Sequence, residues 1–147
     1  MRPVIKILLA DDYYIVRRVL RSLLSSEKDF EIVGEATNGL ETVELARELQ
    51  PDVLLLDLKM PGINGLEVTS RVAKMSPQIR TIIVSMYSNQ AYIDEALRRG
   101  AKAYVPKEAT GDELVTAIRR VSNGEIFLSP SLQIRSTADP QNRSPQT

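Results

Sequence analysis

The sequence predicts a doubly wound α/β sandwich, a parallel sheet with helices packed on both faces. Short apolar, β-branched runs alternate with longer stretches whose apolar residues recur at helical spacing, from Val4 to about Val121. The first, third and fourth runs are almost continuously apolar, as strands buried on both faces must be. Each run also gives way to polar residues at its carboxyl end, the edge where open parallel sheets hold their ligands.

The elements follow in order. Val4–Ala10 is the first expected strand, and Val16, Val19, Leu20, Leu23 and Leu24 then mark one helical face. Phe30–Glu35 is the second strand, and Asn38–Gly39 punctuates the chain after it. Asp52–Leu56 is the third, followed by turn residues Pro61–Gly62 and Gly65 and a helical face of Val68, Val72 and Met75. Thr81–Ser85 is the fourth, with Ile93, Ala96 and Leu97 on the helix behind it and Gly100 closing that helix. Ala103–Val105 is the fifth, and Leu114, Ala117, Ile118 and Val121 give the clearest helical face before Gly124. The alternation resembles a flavodoxin-like (βα)5 arrangement with strand order 2-1-3-4-5, an order that periodicity itself does not determine.

At 147 residues the chain is the size of one domain able to bury a core without disulfides. We expect the domain over residues 1–127 and a flexible tail or truncated linker over 128–147, where Ser, Thr, Asn, Gln, Pro and Arg dominate beyond Pro130. A hydrophobic fraction of 43% with 26% charged residues is that of a globular protein, and no apolar run is long enough to cross a bilayer. The absence of cysteine removes disulfides and thiolate metal sites, and the amino terminus lacks a signal peptide's layout. A cytoplasmic location is expected. Nineteen basic residues balance 19 acidic ones, so direct nucleic-acid contact by this segment is not expected. The absence of histidine excludes His-based triads and His-ligated zinc. Carboxylates, hydroxyls and lysines are left to carry any chemistry.

The strand ends supply those groups. The first strand ends in Asp11–Asp12, the third in Asp57 and the fourth in Ser85, while the fifth leads from Tyr104 to Lys107. Carboxylates gathered in one crevice repel each other and demand a cation, and an all-oxygen set with room for water suits magnesium, often completed by phosphate oxygens. Asp57 can then act as a carboxylate nucleophile toward phosphorus, with Lys107 neutralising charge and Ser85 donating to a phosphoryl oxygen. Singly, each residue has a plainer reading. Asp11–Asp12 reads more readily as an N-cap and turn pair, Asp57 equally as a turn former, Ser85 and Lys107 as ordinary strand-end polar residues, and Tyr104 as a sheet aromatic. Their joint placement favours the phosphate site.

Taken together, Ile7-Leu8-Leu9-Ala10-Asp11-Asp12, Leu55-Leu56-Asp57-Leu58-Lys59-Met60-Pro61-Gly62, Val84-Ser85 and Tyr104-Val105-Pro106-Lys107 resemble the response-regulator receiver family over roughly residues 4 to 127. The resemblance implies a receiver that takes a phosphoryl group on Asp57 from a partner histidine kinase, with Mg2+ or Mn2+ as cofactor. It implies metal contacts from Asp12, Asp57 and the backbone carbonyl of Lys59, with Asp11 holding a metal-bound water. It further implies a switch in which Ser85 turns toward the phosphate and the Tyr104 ring moves inward. Ser85-Met86-Tyr87, Lys107-Glu108-Ala109-Thr110 and Gly124-Glu125-Ile126-Phe127-Leu128-Ser129-Pro130 are similar to the NarL/FixJ (LuxR-type) transcriptional regulators, which carry a helix-turn-helix effector domain after a linker.

Departures from the commonest pattern matter too. Glu108 replaces the proline often found after the lysine, which leaves the usual cis bond there in doubt. Lys59, Met86 and Tyr87 are bulky residues expected to flank the site and lengthen the phosphoryl lifetime by screening water. Tyr13–Leu20 is an expected docking edge for the kinase. The helices over Ala91–Gly100 and Thr110–Val121, rimmed by Arg98, Arg99, Arg119 and Arg120, are candidates for homodimerisation or effector contact. A solvated charged face explains those arginines equally. On this reading the chain is no enzyme beyond promoting its own phosphotransfer and dephosphorylation. The alternatives are a stand-alone receiver acting through protein contacts, a haloacid-dehalogenase-type phosphatase, whose DxD pattern is absent because position 13 is Tyr, and a pseudo-receiver without phosphotransfer. An electron-transfer flavodoxin ranks last, because Asp11–Asp12 would repel the flavin phosphate.

Overall fold

The computed structural model describes residues 3–109, 111–130 and 132. The elements are β1 (Ile5–Ala10), α1 (Tyr14–Ser25), β2 (Phe30–Ala36), α2 (Gly39–Leu49), β3 (Val53–Leu56), α3 (Gly65–Met75), β4 (Arg80–Ser85), α4 (Gln90–Arg98), β5 (Ala103–Pro106), α5 (Gly111–Ser122) and β6 (Phe127–Leu128). They build one sheet in the order β2-β1-β3-β4-β5-β6, with every pair parallel. The expected 2-1-3-4-5 order is present with one strand added.

Alternation along each buried strand divides the core in two. Leu8, Leu54, Leu56, Ile83 and Tyr104 face α2, α3 and α4, meeting Ala46, Val68, Val72, Ile93 and Ala96. Ile7, Leu9, Leu55, Ile82 and Val105 face the other way, toward Leu24 of α1 and Leu114, Ala117, Ile118 and Val121 of α5. β1 and β2 slip by one residue between Ile7 and Leu8, a bulge on the β2 side of the sheet.

Asn38, Asn64 and Asn89 cap α2, α3 and α4, each side chain accepting the backbone N–H three residues on. Asn38–Gly39 therefore starts a helix. Gly39 and Gly65 also lie where the chain crowds itself. A Cβ on Gly65 would sit 2.6 Å from the Asp57 carbonyl oxygen, and one on Gly39 would sit 2.3 Å from that of Ile63. The loop after β3 is thus pressed against two helix starts, which fixes the backbone that carries Asp57.

Two expectations need correction, and the geometry left open after Lys107 is resolved. Val19 is 58% exposed rather than on the buried face of α1, which fully buries only Leu24. The Lys107–Glu108 peptide is trans. The boundary at 127/128 falls inside β6, whose Phe127 and Leu128 pair with Ala103 and Tyr104 of β5. The Ser129 N–H donates to the Tyr104 carbonyl at 3.1 Å, and Leu132 is 2% exposed within the α2–α4 core. This segment is folded because β5 would otherwise present an open edge beside apolar side chains. Thr110 and residues 131 and 133–147 of the expected tail lie outside the described residues.

A Leu132→Ala substitution is expected to destabilise the chain by about 2–5 kcal/mol, the range for emptying a buried leucine site. Urea unfolding followed by circular dichroism checks this; an unchanged midpoint would restore the boundary at 127.

Candidate functional site

The ladder continues one step past each central strand. Asp11 N–H donates to the Ala36 carbonyl at 3.1 Å, Asp57 N–H to the Ala10 carbonyl at 3.0 Å and Lys107 N–H to the Ser85 carbonyl at 2.9 Å. These bonds hold the first residue beyond β1, β3 and β5 at one level, so the side chains converge by backbone geometry.

Asp11 and Asp57 are buried, at 3% and 5% exposure. The Lys107 Nζ bridges them, 2.9 Å from Asp11 Oδ2 and 3.1 Å from Asp57 Oδ2. Each carboxylate gives its other oxygen to backbone: Asp11 Oδ1 accepts from Tyr13 N–H at 2.9 Å and Asp57 Oδ1 from Lys59 N–H at 3.2 Å. Asp12 completes the cluster. One carboxylate oxygen from each of the three lies within 4.8 Å of the others, and the Asp12 Oδ1 is buried without a hydrogen-bond partner. Three carboxylates against one ammonium leave two negative charges unmatched, and an orphaned buried oxygen costs its desolvation. That donor set fits Mg2+ or Mn2+.

Burial pushes the Asp57 carboxyl above its usual range, against the pull of Lys107 and the Lys59 N–H, and Asp11 adds to the rise. For Lys107 burial works to lower the ammonium, but Asp11 and Asp57 outweigh it and the net direction is up.

Asp12, Asp57, Lys59, Met86, Tyr87 and Lys107 line a cleft of about 670 Å³ together with Tyr13, Met60 and Pro61. Met86 stands exposed and Tyr87 packs its ring on Tyr92 at 5.2 Å. Ser85 is fully buried beneath the cleft, its hydroxyl accepting from Tyr87 N–H at 2.9 Å. Tyr104 lies behind it. Its ring is already fully buried, and its hydroxyl donates to the Tyr87 carbonyl. Burial raises the phenol to about 12, with the Ser85 hydroxyl opposing, so Tyr104 stays protonated near neutral pH. Ser85, Tyr87 and Tyr104 are therefore one hydrogen-bonded unit.

α1 is fastened to the same edge. Arg17 donates to the Asp11 carbonyl at 2.6 Å and pairs with Glu35 at 2.9 Å, while Arg21 reaches Glu35 at 2.7 Å. Burial works to raise the Glu35 carboxyl, but the two arginines prevail and hold it below its usual range. Tyr13 and Arg17, expected only as part of a kinase-docking edge, thus also touch the site, Tyr13 on the cleft wall and Arg17 on the Asp11 carbonyl. The expected rim arginines are satisfied within the chain: Arg98 by Glu95, Arg99 by Glu95 and Glu67, Arg119 by Glu27 and Asp29, and Arg120 by Glu125. Among the described residues no helix is long and apolar enough to cross a membrane.

Comparison with known proteins agrees with this geometry. A family model described as the response regulator receiver domain matches residues 7–119. The chain is 37% identical over 145 residues to the response regulator GacA of Pseudomonas aeruginosa, covering 96% of this chain and 68% of that protein. It is 37% identical over 128 residues to the oxygen regulatory protein NreC of Staphylococcus carnosus, covering 86% of this chain and 59% of that one. The crystal structure of a LuxR-family two-component response regulator from Aurantimonas sp. SI85-9A1 superposes with a TM-score of 0.86 at 32% identity, covering 92% of this chain and 97% of that one.

Two outcomes are expected. Because the folded pKa of Asp57 is raised, its favourable contribution is present below the unfolded value near 3.8 and lost as pH rises through the folded value. Asp57→Asn should therefore stabilise the metal-free protein at pH 7, with the advantage disappearing in acid, as measured by urea unfolding at several pH values. Mg2+ at a hundredfold excess over its Kd should stabilise the protein by about 2.7 kcal/mol. In Asp12→Ala, thermal unfolding should show that gain sharply reduced at the same metal concentration.

Proposed function

The chain belongs to the response-regulator receiver family, of the kind found in LuxR-type regulators, and from that membership we propose that it is a phosphorylation-activated switch taking a phosphoryl group on Asp57 from a sensor histidine kinase. The observation that carries this reading is Lys107 bridging Asp11 and Asp57 beside the unpartnered Asp12 oxygen, at the floor of an open cleft.

In the reaction an Asp57 carboxylate oxygen forms a bond to phosphorus as the phosphorus–nitrogen bond of the kinase's phosphohistidine breaks. The bonding pair goes to the departing imidazole nitrogen. Lys107, already within reach of Asp57 Oδ2, exchanges part of that ion pair for a phosphoryl oxygen. Asp11, Asp12, Asp57 and the Lys59 carbonyl would hold Mg2+ or Mn2+, which when bound neutralises the carboxylates and the phosphoryl oxygens together. Ser85 would turn its hydroxyl from the Tyr87 N–H to the phosphoryl group. That exchange disturbs the Tyr87 carbonyl and with it the Tyr104 hydroxyl, which is how charge at Asp57 would reach the surface around α4 and β5. Lys59, Met86 and Tyr87 on the cleft wall would hinder attacking water and lengthen the phosphoryl lifetime.

The exposed apolar stretch of α1, with Tyr14, Ile15 and Val19 above 50% exposure, supports kinase docking there. The chain spans 68% of GacA and 59% of NreC, which supports an effector domain following the receiver in the full regulator. We assign that domain a DNA-binding, transcriptional output and place the protein in the cytoplasm. Homodimerisation on phosphorylation is part of the same reading, through α4 or α5. The receiver's own chemistry stops at gaining and losing its phosphoryl group.

Incubation with radiolabelled acetyl phosphate and Mg2+ should label the chain, and Asp57→Ala should abolish the label; labelling that survives the substitution counts against the proposal. Lys59→Asn and Tyr87→Ala should each shorten the half-life of the label, and unchanged half-lives in both would remove these residues from lifetime control.

A further inference from the structure

Tyr13 occupies a helix position that its side chain serves poorly. It is the N-cap of α1, with extended backbone at φ −92° and ψ 117°, and its side chain makes no capping hydrogen bond. At the corresponding position of α2, α3 and α4 the chain places Asn38, Asn64 and Asn89, and all three side chains accept from the helix backbone. Asparagine is among the best N-cap residues, and aromatic residues offer no acceptor for the first-turn N–H groups. The one described cap without a polar side chain is thus the one beside the acidic cluster.

The ring's surroundings account for the exchange. Tyr13 lines the same cleft as Asp12, Asp57 and Lys107, and its centroid lies 5.6 Å from the Lys107 Nζ. Its backbone N–H is bonded to Asp11 Oδ1, so the ring starts from an anchored point. Arg17 adds to this by holding the Asp11 carbonyl with its guanidinium and donating its backbone N–H to the Tyr13 carbonyl at 3.1 Å. Three groups therefore surround the ammonium: Asp11, Asp57 and the face of Tyr13. The two carboxylates cannot keep the ammonium equally once a divalent ion and a phosphoryl group arrive, because the metal ion competes for their oxygens and phosphorus takes one oxygen of Asp57. The ring offers no oxygen for which a metal ion would compete.

We propose that Tyr13 is a positioning residue for Lys107, its aromatic face holding the ammonium over the cleft while the carboxylates exchange partners. This rests on the phosphotransfer reading given above and deepens it. An exposed cation–ring contact within 6 Å accounts for about a two- to fivefold effect on a step that depends on the cation's placement.

The test compares Tyr13→Phe, Tyr13→Leu and Tyr13→Asn in the full chain. Acetyl phosphate with Mg2+ should phosphorylate the Phe variant at the wild-type rate and the Leu and Asn variants about two- to fivefold more slowly. Tyr13→Asn should at the same time raise the thermal midpoint by roughly 2–4 °C, because it restores a cap. A residue with a merely structural role would lose stability and rate together. In the metal-free protein, NMR should show the Lys107 side-chain protons shifted by the ring in wild type and Phe, and unshifted in Leu. Leu and Asn variants that label as fast as wild type, or a Phe variant as slow as Leu, overturn the proposal. A wild-type chain that takes no label overturns the phosphotransfer reading instead, and the NMR comparison then decides the Lys107 contact: equal shifts in wild type and Leu overturn it.

Discussion

Parallel pairing puts the carboxyl ends of all strands on one edge of the sheet, and the rest of this molecule is arranged around what that edge carries. A carboxylate closing a buried parallel strand cannot retreat into solvent, since its own N–H is tied into the ladder. Asp11 and Asp57 are held in this way by the carbonyls of Ala36 and Ala10. Their proximity is imposed by backbone hydrogen bonds formed throughout β1, β2 and β3, so the electrostatic cost of gathering them is met by the whole sheet. Lys107, fixed by the same device on β5, offsets part of that cost. The remainder is unmatched negative charge, which a cation would neutralise.

The helix starts and loops adapt to that edge. Gly39 and Gly65 let the loop after β3 press against the starts of α2 and α3, at Ile63 and at the backbone of Asp57 and Leu58. Ser85 and Tyr104 sit behind the cleft as buried hydroxyls with defined partners, both meeting at the backbone of Tyr87. A buried hydroxyl that loses its partner is costly, so a change at one of these groups forces a change at the other. Ser85, Tyr87 and Tyr104 are thus tied together by hydrogen bonds directly behind the acidic cleft.

Much of this was legible in the residues alone, and for a physical reason. Continuous apolar runs such as Val53–Leu56 mark doubly buried strands, and polar residues at their ends can only converge, so Asp11, Asp12, Asp57, Ser85 and Lys107 were found together by topology. What stayed hidden lacks a periodic signal. β6 is two residues long and is held by β5's vacant edge rather than by its own pattern. Val19 fits a buried helical face by spacing, yet α1 packs through Leu20, Leu23 and Leu24 and leaves Val19 outward. The pairing of Arg119 with Glu27 and Asp29 joins residues far apart in the chain. Tyr13 reads as surface until the ammonium beside it is seen.

The addition of β6 also bears on how safely the sheet can exist at high concentration. With β5 covered by Phe127 and Leu128, the sheet's edges are β6, only two residues long, and β2. That strand carries Glu31 on its exposed side, is bulged opposite Ile7 and Leu8, and is crossed by the Arg17–Glu35–Arg21 ion pairs. A neighbouring strand approaching it would have to bury charge and match an irregular register, both unfavourable. The chain is thereby guarded against runaway strand addition at both margins, and contacts with other molecules are left to its helices and loops.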